Sequence, residues 1–224
     1  MDNTVELIGI YGSDELIACS AWTSTSRELT EEKRARIPKL LHDLWSNGHE
    51  TPFEKGIVHF LVNKDIASHI QILKHRISSE NGESARYKEL KEDKYYIPKD
   101  FYDCKISDDI YLLEEMHPFI KDRANWGDIL KIFTDETNRM YHLAMNDLEK
   151  KYGRKRAKES ARYFKMYNSQ IQSDLSFNMR SFANFLNLRM SEHAQVEIQE
   201  IASKMLELVR QTGKFEHTLK AWEY

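Results

Sequence analysis

Residues 74–87 read Lys-His-Arg-Ile-Ser-Ser-Glu-Asn-Gly-Glu-Ser-Ala-Arg-Tyr, and this string constrains the fold more than any other in the chain. Lys74, Arg76, Arg86, His75, Asn81 and several hydroxyls leave almost nothing apolar to bury. Neither a strand nor a core helix is expected here, because each polar donor taken out of water needs a partner. Guanidinium groups beside serine hydroxyls suit a phosphate, and an asparagine suits the amide-like edge of a base or flavin ring. Taken alone, the string has a solvated loop as its lesser alternative.

Around it, regular structure should prevail, since only 8 glycines and 4 prolines interrupt 224 residues. Residues 4–11 and 56–63 read as strands, and residues 171–178 alternate as a strand does. A helix is expected from about Asp14, as N-cap, to Trp22. A second opens at residues 30–33, carries Leu40, Leu41, Leu44 and Trp45, and stops at Asn47-Gly48. Asp65 should cap a helix holding Ile66, Ile70 and Leu73, which leads into the polar string. Residues 95–98 suggest a short strand, and residues 110–120 a helix that Pro118 ends or kinks. Residues 127–152 fit a long amphipathic helix with Ile129, Ile132, Phe133, Met140, Leu143 and Leu148 inward. The cationic run at 154–158 reads as the solvated face of the next helix. A helix starting at Met179 or Arg180 has Phe182, Phe185, Leu186 and Leu188 as its apolar side, and residues 194–210 form the clearest helix of all. The sum is an α+β fold, one domain spanning residues 1–224 with no evident linker.

A hydrophobic content of 41% with 10 Phe, 11 Tyr and 4 Trp supports a substantial core. A net charge of −3 lacks the basic footprint of a nucleic-acid binder, so no nucleic-acid partner is expected. The local concentration of positive charge points instead to a small anionic ligand. Cys19 and Cys104 are too few for a disulfide framework, which fits a reducing, cytoplasmic setting. Asp2, Glu6, Asp14 and Glu15 argue against a signal peptide, and no apolar run approaches the ~20 residues that span a bilayer. Nine histidines are scattered without metal-site spacing, so no metal is expected.

A second polar cluster comprises Asn178, Arg180, Asn184, Arg189 and His193. On one helix Arg180 and Asn184 would share a face, as would Arg189 and His193. Asparagine is a mediocre helix former, and surface helices favour Glu and Lys, so this face suits ligand contacts as well as simple exposure.

Three ordered motifs then resemble the flavin-dependent thymidylate synthases. Gly48-His49-Glu50-Thr51-Pro52-Phe53-Glu54 is similar to that family's Gly-His-Glu-Thr-Pro-Phe-Glu segment. Lys74-His75-Arg76, Ser79, Asn81, Ser84 and Arg86 fall in register on its signature, with Lys74 for the first arginine and Gly82 for a glutamate. Glu83, beside a conformationally permissive Gly82, could reach the space of that carboxylate. Asn178-Met179-Arg180-Ser181, Asn184 to Arg189 and His193-Ala194-Gln195 match its C-terminal block. The resemblance covers residues 48–195 and is weakest at 100–155.

It implies a mixed, mainly antiparallel sheet flanked by helices, in a homotetramer with active sites between subunits. The implied reaction is reductive methylation of dUMP to dTMP, with methylenetetrahydrofolate as carbon donor and FAD reduced by NADPH. FAD would contact Ser24, Thr51, Glu54, His75, Arg76, Ile77, Asn81, Asn178, Arg180, Asn184, Arg189 and His193. The dUMP site would use Gln71, Lys74, Gly82, Glu83, Ser84, Ala85, Arg86, Tyr87, Arg162 and Arg189. His49 and Tyr87 would border the flavin face where folate and NADPH approach. Arg189, His49 and Ser84 are the candidate catalytic groups, with Ser84 a binding hydroxyl because no general base accompanies it. Two alternatives stay open: a related flavin/folate enzyme with another pyrimidine product, and a catalytically silent flavin- or nucleotide-binding homologue.

Overall fold

The computed structural model describes residues 1–106, 115, 117–121 and 123–224. Strands β1 (Thr4–Tyr11), β2 (Ile57–Asp65), β3 (Ser79–Gly82) and β4 (Gln170–Asn178) form one four-stranded antiparallel sheet in the order β1-β2-β4-β3. Helices flank it, giving the α+β class expected from the sequence. Alternation sets the faces. Val58, Phe60 and Val62 of β2 and Leu175 and Phe177 of β4 are buried, while His59 and Asp174 meet on the opposite face at 2.6 Å.

By contact density the chain forms two compact units: Met1–Asn3, Asn63–Ile70 and Gly82–Gln172 in one, Thr4–Val62, Gln71–Asn81 and Ser173–Tyr224 in the other. The second holds the larger core, built from the inward sheet residues with Ile17, Leu41, Phe53, Phe182, Phe185, Ile198, Ile201, Met205 and Val209. Phe182 and Phe185 stack with centroids 6.4 Å apart, and each also packs against Phe177. These rings key the Met179–Arg189 helix into the sheet and turn its other side outward. In the first unit the Trp126–Tyr152 and Arg154–Ala161 helices pack through Tyr141, Met145, Ala157 and Ala161.

Several local expectations need correction. The Asp14–Ala21 helix is capped by Ser13, whose hydroxyl accepts from Leu16 N at 3.3 Å, not by Asp14. Part of the polar string does form a strand, β3. It lies at the edge of the sheet with β4 as its single neighbour, so Ser79 and Asn81 stay exposed to water and only Glu80 is half-buried. Gly82 ends that strand without a left-handed φ, so no unusual dihedral explains it. Residues 95–98 give only an isolated bridge, Tyr95 with Ser169. Of the helix expected at 110–120, residues 110–114 and 116 lie outside the described residues, and Pro118–Ile120 is a short 3-10 turn. Met140, Leu143 and Leu188, assigned to apolar sides, are exposed, as are Ile70 and Leu73.

Other signals hold. The Glu31–Ser46 helix starts under Thr30, whose hydroxyl accepts from Lys33 N. It ends with Gly48 at φ +71°, where Gly48 N donates to Trp45 O and His49 N to Leu44 O, the paired bonds of a glycine C-terminal motif. Asp65 does hold its helix start, accepting from Ser68 N and Ser68 Oγ, each at 2.8 Å.

Candidate active site

A cavity of about 550 Å³ lies in the second unit, lined by Trp45, Glu50, Glu54, Lys74, His75, Arg76, Ile77, Asn178, Arg180, Ser181, Asn184, Asn187, Leu188 and Arg189. Besides Trp45 of the Glu31–Ser46 helix, three elements build it. The Met179–Arg189 helix presents Arg180, Asn184, Asn187 and Leu188, spaced by three, four and seven residues along one face. The Thr51–Lys55 turn supplies Glu54, and the segment after the Ile66–Ile72 helix supplies residues 74–77.

Asn178 caps the Met179–Arg189 helix: its Oδ1 accepts from Ser181 N at 2.8 Å. Its Nδ2 is therefore the group left to face the cavity. Arg180 is gripped by two carboxylates, Nε on Glu50 at 2.7 Å and Nη1 on Glu54 at 2.8 Å. Lys74 and Arg76 make no side-chain ion pair among the described residues and leave their charge to the cavity.

Arg189 is held differently. Its Nε donates to His75 Nε2 at 2.9 Å, Nη1 to Gln71 Oε1 at 3.2 Å, and Nη2 to Gln71 O at 3.0 Å. All three acceptors are neutral, so the guanidinium is fixed in place while its charge stays uncompensated. Since Arg189 can only donate, His75 Nε2 must accept, which puts the ring proton on Nδ1. His75 is buried with its ring edge-on to Phe185 at 5.0 Å. Burial, reinforced by the adjacent Arg189 charge, pushes its pKa down from 6.5 to about 4.

A neutral His75 contributes stability in full above the unfolded pKa of 6.5, and the contribution is lost as pH falls toward 4. The melting temperature of wild type is thus expected to fall more steeply between pH 6.5 and 4 than that of His75→Gln, which keeps an acceptor but cannot titrate. Parallel curves would remove His75 as the cause.

Of the residues singled out in the sequence, Glu54, Lys74, His75, Arg76, Ile77, Asn178, Arg180, Asn184 and Arg189 line this cavity, and Gln71 supports Arg189 from beside it. Ser24, His49, Thr51, Asn81 and His193 are not among its lining residues. Ser24 Oγ donates to Ala21 O. His193 does not share a helical face with Arg189, because the helix ends at Arg189 with Met190 as C-cap, and its side chain is 87% exposed.

The other candidates lie in the first unit. Ser84 Oγ accepts from Arg86 N at 3.3 Å, Arg86 pairs with Glu159 at 3.4 Å and approaches the Tyr87 ring, and Arg162 is exposed without an ion pair among the described residues. Glu83 follows Gly82 directly and is half-buried. It pairs with Lys88, and its backbone N donates to Gln172 O at 2.8 Å.

Trp45, Glu50, Ser181, Asn187 and Leu188 were missed as cavity residues. Asn187 and Leu188 follow from extending the 180/184 helical register. Glu50 could not be found locally, since its partner Arg180 is 130 residues away.

The model of a family described as "Thymidylate synthase complementing protein" matches residues 6–212. A flavin-dependent thymidylate synthase of Pseudothermotoga lettingae is 32% identical over 200 residues, covering 88% of this chain and 80% of the relative. The chain belongs to the flavin-dependent thymidylate synthase family. Membership makes it a methyltransferase enzyme. The flavin-dependent thymidylate synthase of Thermotoga neapolitana is 31% identical, covering 92% of this chain and 85% of that one. In fold it is similar to the crystal structure of PolB from Streptomyces cacaoi, a UMP/dUMP methylase bound with 5-Br dUMP. The TM-score is 0.77 at 23% identity, over 99% of this chain and 95% of that one. That likeness concerns architecture.

Proposed function

We propose that this family member converts dUMP to dTMP, taking the carbon from methylenetetrahydrofolate and the electrons from FAD reduced by NADPH. The observation that carries this reading is Arg189, immobilised by neutral acceptors with its charge open to a cavity that amides and unpaired cations line. Making C5 of a uracil nucleophilic develops enolate charge on the adjacent ring carbonyl, and a preoriented guanidinium stabilises that charge without reorganisation.

The lining fits a flavin nucleotide in donor chemistry. Arg76 offers a cation to a pyrophosphate, Lys74 one to the dUMP, and Asn178 Nδ2, Asn184 and Asn187 offer amides to ring edges. Glu54 and Arg180 would fix the wall, with His75 and Ile77 against the ring system. When bound, FAD would supply the two-electron reduction that takes the transferred carbon from the methylene to the methyl level. Gln71 would hold the pyrimidine edge beside Arg189. Ser84, Ala85, Arg86 and Arg162 would hold the nucleotide phosphate, each charged hydrogen bond contributing roughly 1.5–3 kcal/mol. His49 and Tyr87 would border the approach of folate and NADPH. Neither Cys19 nor Cys104 lines the cavity, in keeping with a route that needs no cysteine nucleophile.

Ser24, His49, Asn81, Arg86, Tyr87, Arg162 and His193 are ligand-type residues that lie exposed in one chain. Apolar Ile8, Tyr11 and Ile57 are exposed as well. Both facts support a homotetramer whose sites are completed between subunits, with residues 1–224 acting as one functional domain. Among the described residues no helix is long and apolar enough to cross a membrane, and we place the enzyme in the cytoplasm.

The test is a visible spectrum of the purified protein, repeated anaerobically with NADPH, followed by product analysis with dUMP and methylenetetrahydrofolate. A yellow protein bleached by NADPH that forms dTMP is expected. A different methylated or hydroxymethylated product would select the related-enzyme reading. A colourless protein that takes up no FAD would leave the silent homologue.

A further inference from the structure

We propose that Gln195 is a positioning residue for this reaction: its side-chain oxygen fixes the Gln71 amide, and Gln71 in turn aims the Arg189 guanidinium. The inference rests on the reading above, in which Arg189 acts on the substrate.

Gln195 is the N-cap of the Val196–Gln211 helix, yet its side chain makes no capping bond. Short Ser, Thr, Asp and Asn favour that position because their oxygen reaches the first-turn amides, whereas glutamine is a poor choice on local grounds. A local rule broken without local compensation points to another use of the side chain. That use is visible: Gln195 Oε1 accepts from Gln71 Nε2 at 2.7 Å across 124 residues of sequence.

The bond matters because of what stands on the other side of Gln71. Arginine has only donors, so Gln71 must turn its carbonyl oxygen to Arg189 Nη1 and its amide nitrogen away. An acceptor placed behind Nε2 holds that orientation. With a donor there, or nothing, the amide can turn over and set N–H against guanidinium, and Arg189 loses one of its three anchors. The anchor behind Gln195 is itself held, because Gln199 Nε2 donates to Ser191 O at 2.9 Å and to Ala194 O at 2.8 Å. Gln199 N also donates to Gln195 O at 3.1 Å, so the turn that carries Gln195 is pinned, and from Gln195 a line of hydrogen bonds runs through Gln71 to Arg189 and His75.

Two variants separate positioning from capping. Gln195→Asp supplies a better cap but is too short to reach Gln71, while Gln195→Glu keeps an acceptor at full length. For Gln195→Asp we expect a melting temperature equal to or above wild type. Its kcat should fall roughly ten- to a hundredfold, with KM for dUMP changing less, the size of effect a small misalignment produces. Gln195→Glu should recover most of that loss. Wild-type turnover in Gln195→Asp, or an equal loss in both variants, would overturn the proposal.

Independence from the reaction itself comes from the His75 titration in ligand-free protein, followed by NMR of ring-labelled histidine. Loosening Arg189 in Gln195→Asp should raise the His75 midpoint from about 4 toward 6.5. An unmoved midpoint counts against the clamp. If wild type fails to methylate dUMP while the midpoint still moves, the clamp stands and the assigned reaction falls.

Discussion

Arg189→Ala is expected to lower kcat for dUMP methylation by roughly 10²–10³, the loss typical of removing one preoriented donor from a developing oxyanion. Arg189→Lys should recover little. An ammonium cannot reach His75 Nε2, Gln71 Oε1 and Gln71 O together, and it lacks the planar fork that fixes the guanidinium's direction. The loss should lie in kcat more than in dUMP affinity, because charge on the pyrimidine is greatest in the transition state. Stability should change little by comparison: the Arg189 contacts are part-buried, and the freed acceptors can take water. A variant that kept kcat within tenfold of wild type would remove Arg189 from the chemistry and leave it a binding residue.

The sequence exposes the parts of this site that depend on periodicity. Arg180 and Asn184 lie four apart, while Phe182 and Phe185 are offset from them by one or two residues, so a helix with a buried aromatic side and an outward polar side follows directly from spacing, and the structure has it. The helix start at residues 30–33 and the stop at Asn47-Gly48 were equally plain, because they are local chemistry. What stayed hidden is set by distant partners. Glu50 gained its role from Arg180, Gln195 from Gln71, and nothing within ten residues of either announces the pairing. His193 was misplaced because the spacing rule presumes a continuing helix, and this one stops at Arg189. The polar string misled in the other direction: an edge strand with one neighbour accepts side chains that a central strand would reject. Leu188 looked like core on spacing and instead lines the cavity, where an apolar wall has its own use.

Asp14→Ala is expected to destabilise the protein by about 3–5 kcal/mol, because a buried carboxylate that accepts several hydrogen bonds leaves each donor unsatisfied when removed. Asp14 Oδ1 accepts from Thr218 N at 2.9 Å and Thr218 Oγ1 at 2.6 Å, and Oδ2 accepts from His217 N at 2.7 Å. These amides open the Glu216–Ala221 helix, whose own N-cap, Phe215, offers no side-chain bond. Asp14 thus caps a helix two hundred residues away and lays its charge at the positive end of that helix. Six residues do not hold a helix in water unaided, so this turn depends on the cap and on burial of Leu219, Ala221 and Trp222. Asp14→Asn should cost less, since its oxygen can still serve Thr218, but its amide nitrogen then faces the His217 N–H. At this chain length the alanine variant should melt about 6–20 °C lower. The consequence reaches the site through packing: Trp222 lies 5.5 Å from Trp45, and Trp45 lines the cavity. Well below its melting point Asp14→Ala should nonetheless turn over much as wild type does, whereas Arg189→Ala should melt normally and turn over poorly. A melting temperature unmoved in Asp14→Ala would mean that its three bonds are replaced by water at no cost, and the C-terminal turn would then owe its place to Leu219 and Trp222 alone.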